Sequence, residues 1–281
     1  MKVVLFCGGL GLRMRSHVDA APKPMMNIGD RPVLWHIMRY YAHFGHTEFI
    51  LCLGYGAASV KEYFLHYDET HSNDFVMSKG GQSIELLESD ISEWRISFIE
   101  TGIDTSIGER LRRVRHLLDD DEIFLANYGD VLTDAPMNQI IHDFVASDAT
   151  ASMLAVPPQE SFHVVEMDDE CRVTDIESVA SLPLWENGGY FVLRQGVFDV
   201  LHRGEDLVTD AFPRLAEQRR LKAVKHTGFW APMDTLKERS LLEELHRSGK
   251  APWKLWARTP NEPEPRFSRP TATTAQPVVR A

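Results

Sequence analysis

Residues 3–13 read VVLFCGGLGLR, and this stretch decides the fold. Its first five residues form an apolar run without any charge, which is typical of a strand buried on both faces of a parallel sheet. The run passes directly into Gly8, Gly9 and Gly11. A buried strand followed at once by a glycine loop is the usual start of an α/β fold whose loop binds phosphate. The same pattern also fits a simple tight turn between a strand and a helix.

The chain beyond this loop alternates between helical and strand-like segments. Apolar residues at helical spacing predict a helix that starts at Val33 and ends before Gly45. Short apolar runs predict further strands at residues 49–53, 96–99 and 123–126. Helical patterns separate these runs. The alternation predicts a mostly parallel sheet with helices on both faces.

The second half of the chain has shorter elements. β-like pieces occur at residues 151–156, 163–166, 172–176 and 190–193, and we expect them to extend the same sheet. Residues 234–249 carry leucines near helical spacing, which predicts a closing helix. We expect residues 1–256 to form one domain. Residues 257–281 contain five prolines and a single aromatic residue, a composition that predicts a disordered tail.

Composition and charge exclude several classes of protein. The chain has 281 residues, 43% of them hydrophobic, and a formal net charge of −11. It can therefore build a sizeable core, and its charge disfavours a nucleic-acid binder. No apolar run approaches the roughly 18 residues of a membrane span, and the N-terminus lacks signal-peptide features. We expect a soluble, cytoplasmic protein with no membrane partner. Its three cysteines lack metal-type spacing, so neither disulfides nor zinc are expected.

The glycine loop departs from the common nucleotide-binding motifs. It is too short for a Walker loop, and Met14 stands where a dinucleotide fingerprint has its third glycine. The second mismatch disfavours a nicotinamide-dependent oxidoreductase. Arg13 follows the last glycine of the loop by two residues. Because backbone amides and a guanidinium are the donors that a polyphosphate needs, the loop and Arg13 are candidate phosphate ligands.

Three further polar residues are candidates for the same chemistry. Lys23 lies between two prolines that hold it on a stiff extended segment, which suits contact with phosphate, although a surface lysine is the simpler interpretation. Asp130 follows a predicted strand at the sheet edge where α/β folds bind ligands. Asp234 precedes the predicted closing helix. Each aspartate also fits a role as a helix cap or turn residue, but together they are suited to hold one Mg²⁺ beside substrate phosphates.

Ordered sequence blocks connect these residues to a known family. Over residues 1–256, the chain resembles sugar-nucleotide pyrophosphorylases in a series of blocks that occur in the same order. These blocks are GGLGLR, PKPM, PVLWHIMRYYAHFG, IGERLRRV, YGD, ENGGYFVL, GFWAPMDTL and GKAPWKLW. The resemblance is strongest to members that transfer CMP from CTP to glucose 1-phosphate. It implies a Rossmann-like three-layer nucleotidyltransferase fold of the α/β class, with a mostly parallel sheet and additional β structure. It also implies transfer of a nucleotidyl group from a nucleoside triphosphate to a phosphorylated sugar, with release of pyrophosphate.

The resemblance assigns roles to individual residues of this chain. It implies nucleotide binding by Gly8, Gly9, Gly11, Arg13, Lys23 and Arg110. It implies catalytic roles for Arg13, Lys23, Asp130 and Asp234, with the two aspartates holding Mg²⁺ as the cofactor. It implies a sugar pocket lined by Glu177, Asn187 and Gly188. Family members form oligomers, so a homo-oligomer is possible, although the residues leave the oligomeric state open. The site is expected to be a local positive pocket.

The sequence departs from the family at two points. Leu12 replaces the threonine that usually follows the last loop glycine, and Glu177-Ser178-Val179 replaces a Glu-Lys-Pro block whose lysine holds the sugar phosphate. Either another cation, such as Lys225 or Arg172, takes the place of that lysine, or the acceptor is not glucose 1-phosphate. A different triphosphate, or a regulatory protein that binds nucleotide without turnover, is the alternative function.

Overall fold

The structure is a computed structural model that describes residues 1–9, 22–159 and 162–257. The strands are β1 (Lys2–Phe6), β2 (Asn27–Ile28), β3 (Arg31–Pro32), β4 (Glu48–Leu53), β5 (Phe75–Ser78), β6 (Ser83–Leu86), β7 (Arg95–Glu100), β8 (Ile123–Tyr128), β9 (Val131–Thr133), β10 (Ala151–Val156), β11 (His163–Met167), β12 (Val173–Ser178), β13 (Glu186–Arg194), β14 (Leu221–Lys225) and β15 (Trp230–Pro232). The α-helices are α1 (Val33–His43), α2 (Ala57–Leu65), α3 (Ile107–Val114), α4 (Met137–Val145), α5 (Val197–Val200), α6 (Phe212–Glu217) and α7 (Leu236–Arg247).

A seven-stranded central sheet organises the fold, in the order β14-β10-β13-β8-β1-β4-β7. Four of its six strand pairs are parallel, and β13 runs antiparallel to both of its neighbours. The register sets Leu5 of β1 opposite Leu51 of β4 on one side and Asn127 of β8 on the other. The prediction of a mostly parallel α/β sheet is confirmed.

Two apolar cores lie on opposite faces of this sheet. Alternate residues of β1 point to opposite faces because side chains in a strand have a period of two. Val3 and Leu5 belong to one core, and Val4 and Phe6 to the other. Helix α1 packs into the first core and α3 into the second. Helices therefore cover both faces, as the alternation of elements predicted.

The predicted extension of the sheet is confirmed only in part. Strands β10 and β13 join the central sheet, but β11 and β12 pair with each other in a separate two-stranded sheet. At the connecting turn, the Asp168 carboxylate accepts hydrogen bonds from the amides of Glu170 and Arg172. This turn closes the segment into a hairpin, and its strand residues are exposed. Since each strand already pairs with its neighbour in the chain, the expectation for residues 163–166 and 172–176 was wrong.

The carboxyl ends of the parallel strands meet at one edge of the sheet. Gly8 and Gly9 lie shortly after the end of β1, and Gly129 and Asp130 directly follow β8. The single-domain assignment for residues 1–256 stays a prediction. Ala257 ends a short 3₁₀ helix, and the remainder of the predicted tail, residues 258–281, lies outside the described residues. In the ranges that the structure describes, no helix combines the length and apolar character needed to span a membrane.

Candidate active site

Lys23 begins a short 3₁₀ helix, Lys23–Met25, at the sheet edge. Pro22 precedes it in extended conformation, and the Met25 amide donates to the Pro22 carbonyl oxygen at 2.8 Å. Pro24 is buried, which anchors the segment. The Lys23 side chain is only 15% exposed. The two prolines thus hold the lysine in a fixed segment, but Lys23 lies in a 3₁₀ helix and not in the extended conformation that the sequence predicted.

Asp130 and Asp234 are brought together by the antiparallel pair β9 and β15. The register of this pair sets Val131 opposite Pro232, so the residues just outside it become neighbours. The Met233 amide donates to the Asp130 carbonyl oxygen at 2.8 Å and extends the pairing by one step. Asp130 and Asp234 are therefore neighbours in the fold although they lie 104 positions apart in the sequence.

The ammonium group of Lys23 lies between the two carboxylates. Lys23 Nζ donates a hydrogen bond to Asp234 Oδ1 and lies 3.7 Å from Asp130 Oδ2. The pKa of Asp130 is raised to about 6: burial is the main cause, the Lys23 ammonium counteracts part of the rise, and the Asp234 carboxylate adds to it. The structure thus unites three of the four residues predicted to be catalytic. Arg13, the fourth, lies outside the described residues.

The chemistry of this pair fits Mg²⁺. Both carboxylates contact one ammonium group, which shows that they can contact a single cation. Mg²⁺ is commonly held by one or two carboxylates and completes its shell with water and substrate phosphates. Among residues 1–9, 22–159 and 162–257, no three His, Cys, Asp or Glu side chains gather into a metal cluster. The pair therefore suits a metal that arrives with its substrate rather than one held in an all-protein cage.

Arg110 clamps the loops beside the glycine turn. All five N–H donors of its guanidinium are engaged: Nε with Thr105 O, Nη1 with Leu53 O and Thr101 Oγ1, and Nη2 with Gly8 O and Ile103 O. The acceptors are the last residue of β4 and residues in the loops after β1 and β7, so one side chain joins three neighbouring strand ends. Its burial lowers the pKa of Arg110, and the side chain stays charged because an arginine pKa lies far above neutral pH.

These contacts change the way in which Arg110 can act on a nucleotide. Arg110 lines the cavity next to Gly8 and Gly9, in agreement with the sequence prediction of its place. However, its donors already bind protein oxygens, so its geometry supports positioning of the glycine loop more than direct contact with phosphate. Gly11, the third predicted loop glycine, lies outside the described residues.

The predicted sugar-binding residues separate into two groups. Asn187 lines the cavity, where its Nδ2 donates to the Tyr128 hydroxyl and its Oδ1 accepts from the Gly189 amide. Gly188 lies next to it, and its carbonyl accepts from Trp230 Nε1 at 2.8 Å. Glu177 instead lies exposed on β12 of the separate hairpin, outside the cavity lining. The structure brings Asn187 into the cavity lining, places Gly188 directly behind it, and does not bring Glu177 to the site.

A cavity of about 1360 Å³ surrounds these groups. Its volume exceeds the 300 to 1000 Å³ typical of a site for one small ligand, so it can hold two substrates side by side. Six carboxylates line it, from Asp104, Asp130, Glu186, Asp206, Asp234 and Glu238. Three cationic side chains line it, from Lys23, Arg110 and Lys237. The expectation of a positive pocket is therefore wrong for the described lining, where acidic groups outnumber basic ones.

Sequence reasoning missed several residues of this cavity. Trp230 connects the segment after β10 to β13, because its backbone carbonyl accepts from Gln159 Nε2 while its indole donates to the Gly188 carbonyl oxygen. Lys237 lies in the first turn of α7, three residues after Asp234. Trp230 lies within the block GFWAPMDTL, which was used only for Asp234, and Lys237 follows that block directly. The proximity of Lys237 to Asp234 in the sequence was the one signal that could have identified it.

Comparison with known proteins agrees with this arrangement. Residues 2–247 match the sequence model of the nucleotidyl transferase family. The match covers most of the chain, and the chain belongs to this family.

Two relatives and one solved structure illustrate the similarity of this chain to individual proteins. Glucose-1-phosphate cytidylyltransferase of Salmonella typhimurium is 36% identical over 263 residues, which cover 91% of this chain and 100% of the relative. The enzyme of the same name from Salmonella typhi is also 36% identical, with the same coverage. A solved structure of UDP-glucose pyrophosphorylase in complex with UDP-glucose matches with a TM-score of 0.65 and 16% identity, over 88% of this chain and 98% of that chain. At this identity the structural match shows the fold alone.

Proposed function

We propose that this chain transfers CMP from CTP to the phosphate of glucose 1-phosphate or a closely related sugar 1-phosphate, with release of pyrophosphate. The main support is the convergence of Lys23, Asp130 and Asp234 from separate segments at the carboxyl edge of the parallel sheet. The two Salmonella relatives that are 36% identical over their full length carry the name of this activity. The product would be a nucleotide sugar.

The reaction needs positioning and charge neutralisation more than acid or base catalysis. A phosphate oxygen of the acceptor attacks the α-phosphorus of CTP, and the bond from that phosphorus to the oxygen that bridges it to the β-phosphate breaks. Pyrophosphate leaves with the electron pair. The acceptor phosphate is largely ionised at neutral pH, since its second pKa is about 6, so no side chain has to remove a proton. In-line placement and neutralisation of the phosphates then account for the catalysis.

Residues of this chain supply those functions at defined places. The backbone at Gly8 and Gly9, fixed by Arg110, offers the turn beside which the triphosphate binds. Lys23 contributes a positive charge at the reacting phosphates. Asp130 and Asp234 would hold Mg²⁺, which supplies charge neutralisation on the phosphate oxygens when it is bound. Arg13, from outside the described residues, stays a predicted ligand of the triphosphate.

Neither of the cations suggested from the sequence reaches this site. Lys225 Nζ lies 4.8 Å from the centre of the Trp185 ring, and Arg172 pairs with Asp168 and Glu170 at the turn of the β11–β12 hairpin. Neither lines the cavity. The identity of the acceptor and the choice of CTP therefore rest on the relatives, and the cytoplasmic location and the homo-oligomer stay predictions.

A substrate screen tests the proposal directly. The purified chain is incubated with Mg²⁺, one of the four ribonucleoside triphosphates and one of several sugar 1-phosphates, and pyrophosphate is measured. We expect the highest rate with CTP and glucose 1-phosphate. The Asp130→Asn and Asp234→Asn variants should lose at least about a hundredfold in rate, the order of effect expected for groups that stabilise charge in a transition state. Asp169→Asn, at an exposed hairpin position, serves as the matched control and should keep full activity.

Two outcomes would count against the proposal. Pyrophosphate release from another triphosphate with no release from CTP would overturn the donor assignment. Tight CTP binding without turnover of any acceptor, unaffected by Asp234→Asn, would instead support a regulatory protein that binds nucleotide.

A further inference from the structure

Lys237 is an unassigned cation in the wall of the active-site cavity. It is the second residue of α7, a helix that begins directly after Asp234 and its cap, Thr235. Its side chain is exposed and lines the cavity together with Leu241, one turn further along the helix. In the part of the chain that the structure describes, Lys237 takes part in no hydrogen bond or ion pair.

The other two cations of the described lining are already engaged. Arg110 uses all five donors on protein oxygens. Lys23 is shared between Asp130 and Asp234. Lys237 is therefore the cation of the described lining that keeps its full donor capacity for a ligand.

The acidic character of the cavity makes such a cation necessary. Six carboxylates line the described part of it, and both proposed substrates carry phosphate charges. A dianionic phosphate that approaches this lining is repelled by the carboxylates and by the triphosphate of the donor. One metal ion held by Asp130 and Asp234 neutralises part of the donor charge, but the incoming phosphate still needs a positive partner of its own.

The path of the chain indicates which phosphate Lys237 contacts. Gly8 and Arg110 lie on the side of β8 occupied by β1, β4 and β7. The segment that leads to Lys237 comes from β15, where Trp230 is hydrogen-bonded to Gly188 on β13. Strand β13 lies on the opposite side of β8. The segment from β15 therefore connects Lys237 to the strand that carries the predicted sugar-binding residues Asn187 and Gly188.

We propose that Lys237 binds the phosphate group of the sugar 1-phosphate acceptor. This inference rests on the proposed function and deepens it, because it assigns the acceptor phosphate to a residue of this chain. The helix holds the backbone of Lys237 in place: the Glu238 carboxylate accepts from the amides of Asp234 and Thr235, and Thr235 Oγ1 accepts from the Glu238 amide. This double cap fixes the first turn of α7 and thus the base of the Lys237 side chain.

Steady-state kinetics on matched variants tests the assignment. Lys237→Met removes the charge and keeps the length of the side chain, and Lys237→Arg keeps the charge. Arg239→Met removes a cation from the same helix at a position outside the cavity lining and is the control. We expect Lys237→Met to raise the KM for glucose 1-phosphate about 10- to 100-fold, the range for loss of a charge-assisted hydrogen bond, with the KM for CTP changed by less than about threefold. Lys237→Arg should restore most of the loss, and Arg239→Met should match the wild type.

A binding measurement separates this inference from the proposed function. Calorimetric titration of glucose 1-phosphate in the presence of EDTA and CTP reports acceptor binding without turnover. The wild type, Lys237→Arg and Arg239→Met should each bind the acceptor more tightly than Lys237→Met. If the wild type releases no pyrophosphate with any triphosphate, the proposed function fails and the titration still tests Lys237. Equal acceptor affinity in the wild type and Lys237→Met, no acceptor binding by the wild type, or an increase confined to the KM for CTP would overturn the assignment.

Discussion

Lys23 and Asp234 form an ion pair although they lie 211 positions apart in the sequence. The same ammonium group lies 3.7 Å from a carboxylate oxygen of Asp130. Lys23 therefore partly neutralises two acidic groups that would otherwise repel each other in a half-buried site. A cation in this place competes with any second cation for the same carboxylate oxygens.

This competition predicts an unusual effect of removing Lys23. The Lys23→Met variant should bind Mn²⁺, a substitute for Mg²⁺, at least about fivefold more tightly than the wild type in the absence of nucleotide, because one positive charge near the carboxylates is gone. Its rate of pyrophosphate release should nevertheless fall. Electron paramagnetic resonance of free Mn²⁺ measures the affinity.

A matched variant controls for the general loss of a lysine. Lys61 pairs with Glu100 on the surface, away from the cavity, so Lys61→Met should leave Mn²⁺ binding unchanged. Equal or weaker Mn²⁺ binding by Lys23→Met would show that the lysine does not compete with the metal.

Asp130 is predicted to reduce stability in exchange for function. Its folded-state pKa of about 6 lies above the ordinary value of 3.8, so the ionised carboxylate is disfavoured in the folded protein at neutral pH. Asp130→Asn should raise the free energy of unfolding at pH 7.5 by about 1 to 3 kcal/mol while it abolishes turnover. The gain should shrink as the pH falls through 6 towards 4, because the wild-type carboxyl then becomes neutral.

Urea denaturation at pH 7.5 and 4.5 measures both effects. Asp169→Asn, at an exposed position, should show no such pH-dependent gain. A variant that is less stable than the wild type at pH 7.5 would show that the contact with Lys23 outweighs the cost of burying the charge.

Gly8 and Gly9 provide a comparison between two adjacent glycines. A Cβ atom added at Gly8 would overlap the guanidinium of Arg110, whereas one added at Gly9 has no atom within 4 Å. Gly8→Ala should therefore lower the free energy of unfolding by about 1 to 3 kcal/mol, since the buried arginine has to move and lose hydrogen bonds. Gly9→Ala should change it by less than about 0.5 kcal/mol. Thermal unfolding of both variants tests the clamp, and equal destabilisation would contradict it.

Local sequence pattern was sufficient to predict most of the central sheet. The apolar runs of β1, β4, β7 and β8 are short, uncharged at their centres and bounded by turn residues. The apolar pattern and the turn residues at its ends therefore predict the same strands. Strand β14 gave no such signal, because its sequence LKAVK alternates weakly and carries two lysines at the sheet edge. The sequence predicted the strands of the β11–β12 hairpin but assigned them to the wrong sheet. The partner of a strand depends on tertiary contacts, which the spacing of apolar residues along the chain does not encode.

The site was predictable where a motif matched and unpredictable where contacts decide. The convergence of Asp130 and Asp234 followed from the family blocks, yet no spacing rule relates residues 104 positions apart. The engagement of all five Arg110 donors depends on oxygens at the ends of three separate strands, and the acidic balance of the cavity depends on which carboxylates face it. Lys237 was missed for the same reason: exposure towards a cavity is a property of the fold.

His36 provides a test of the core that is independent of the active site. It is 1% exposed in α1, and its ring contacts two partners: Nε2 is 3.0 Å from the Ile28 carbonyl oxygen, and Nδ1 accepts from Trp253 Nε1 at 3.4 Å. These contacts fit a neutral ring with its proton on Nε2. The pKa of His36 is lowered to about 3: burial is the main cause, the nearby Lys254, His246 and Arg31 contribute, and the bond to Ile28 opposes the shift.

A lowered histidine pKa makes stability depend on pH in a defined direction. Above pH 6.5 the ring is neutral in both the folded and the unfolded chain, so it adds no pH dependence. Between pH 6.5 and about 3 the unfolded chain binds a proton that the folded protein excludes, and stability falls by up to about 1.4 kcal/mol per pH unit.

His36→Gln keeps an amide donor near the Ile28 carbonyl and cannot be protonated. On a change from pH 7.5 to 5.0, the wild type should lose about 2 kcal/mol more than this variant in urea denaturation. His116→Gln, at an exposed position, should lose as much as the wild type. Parallel losses in all three proteins would mean that His36 accepts a proton in the folded state and that its burial does not keep it neutral.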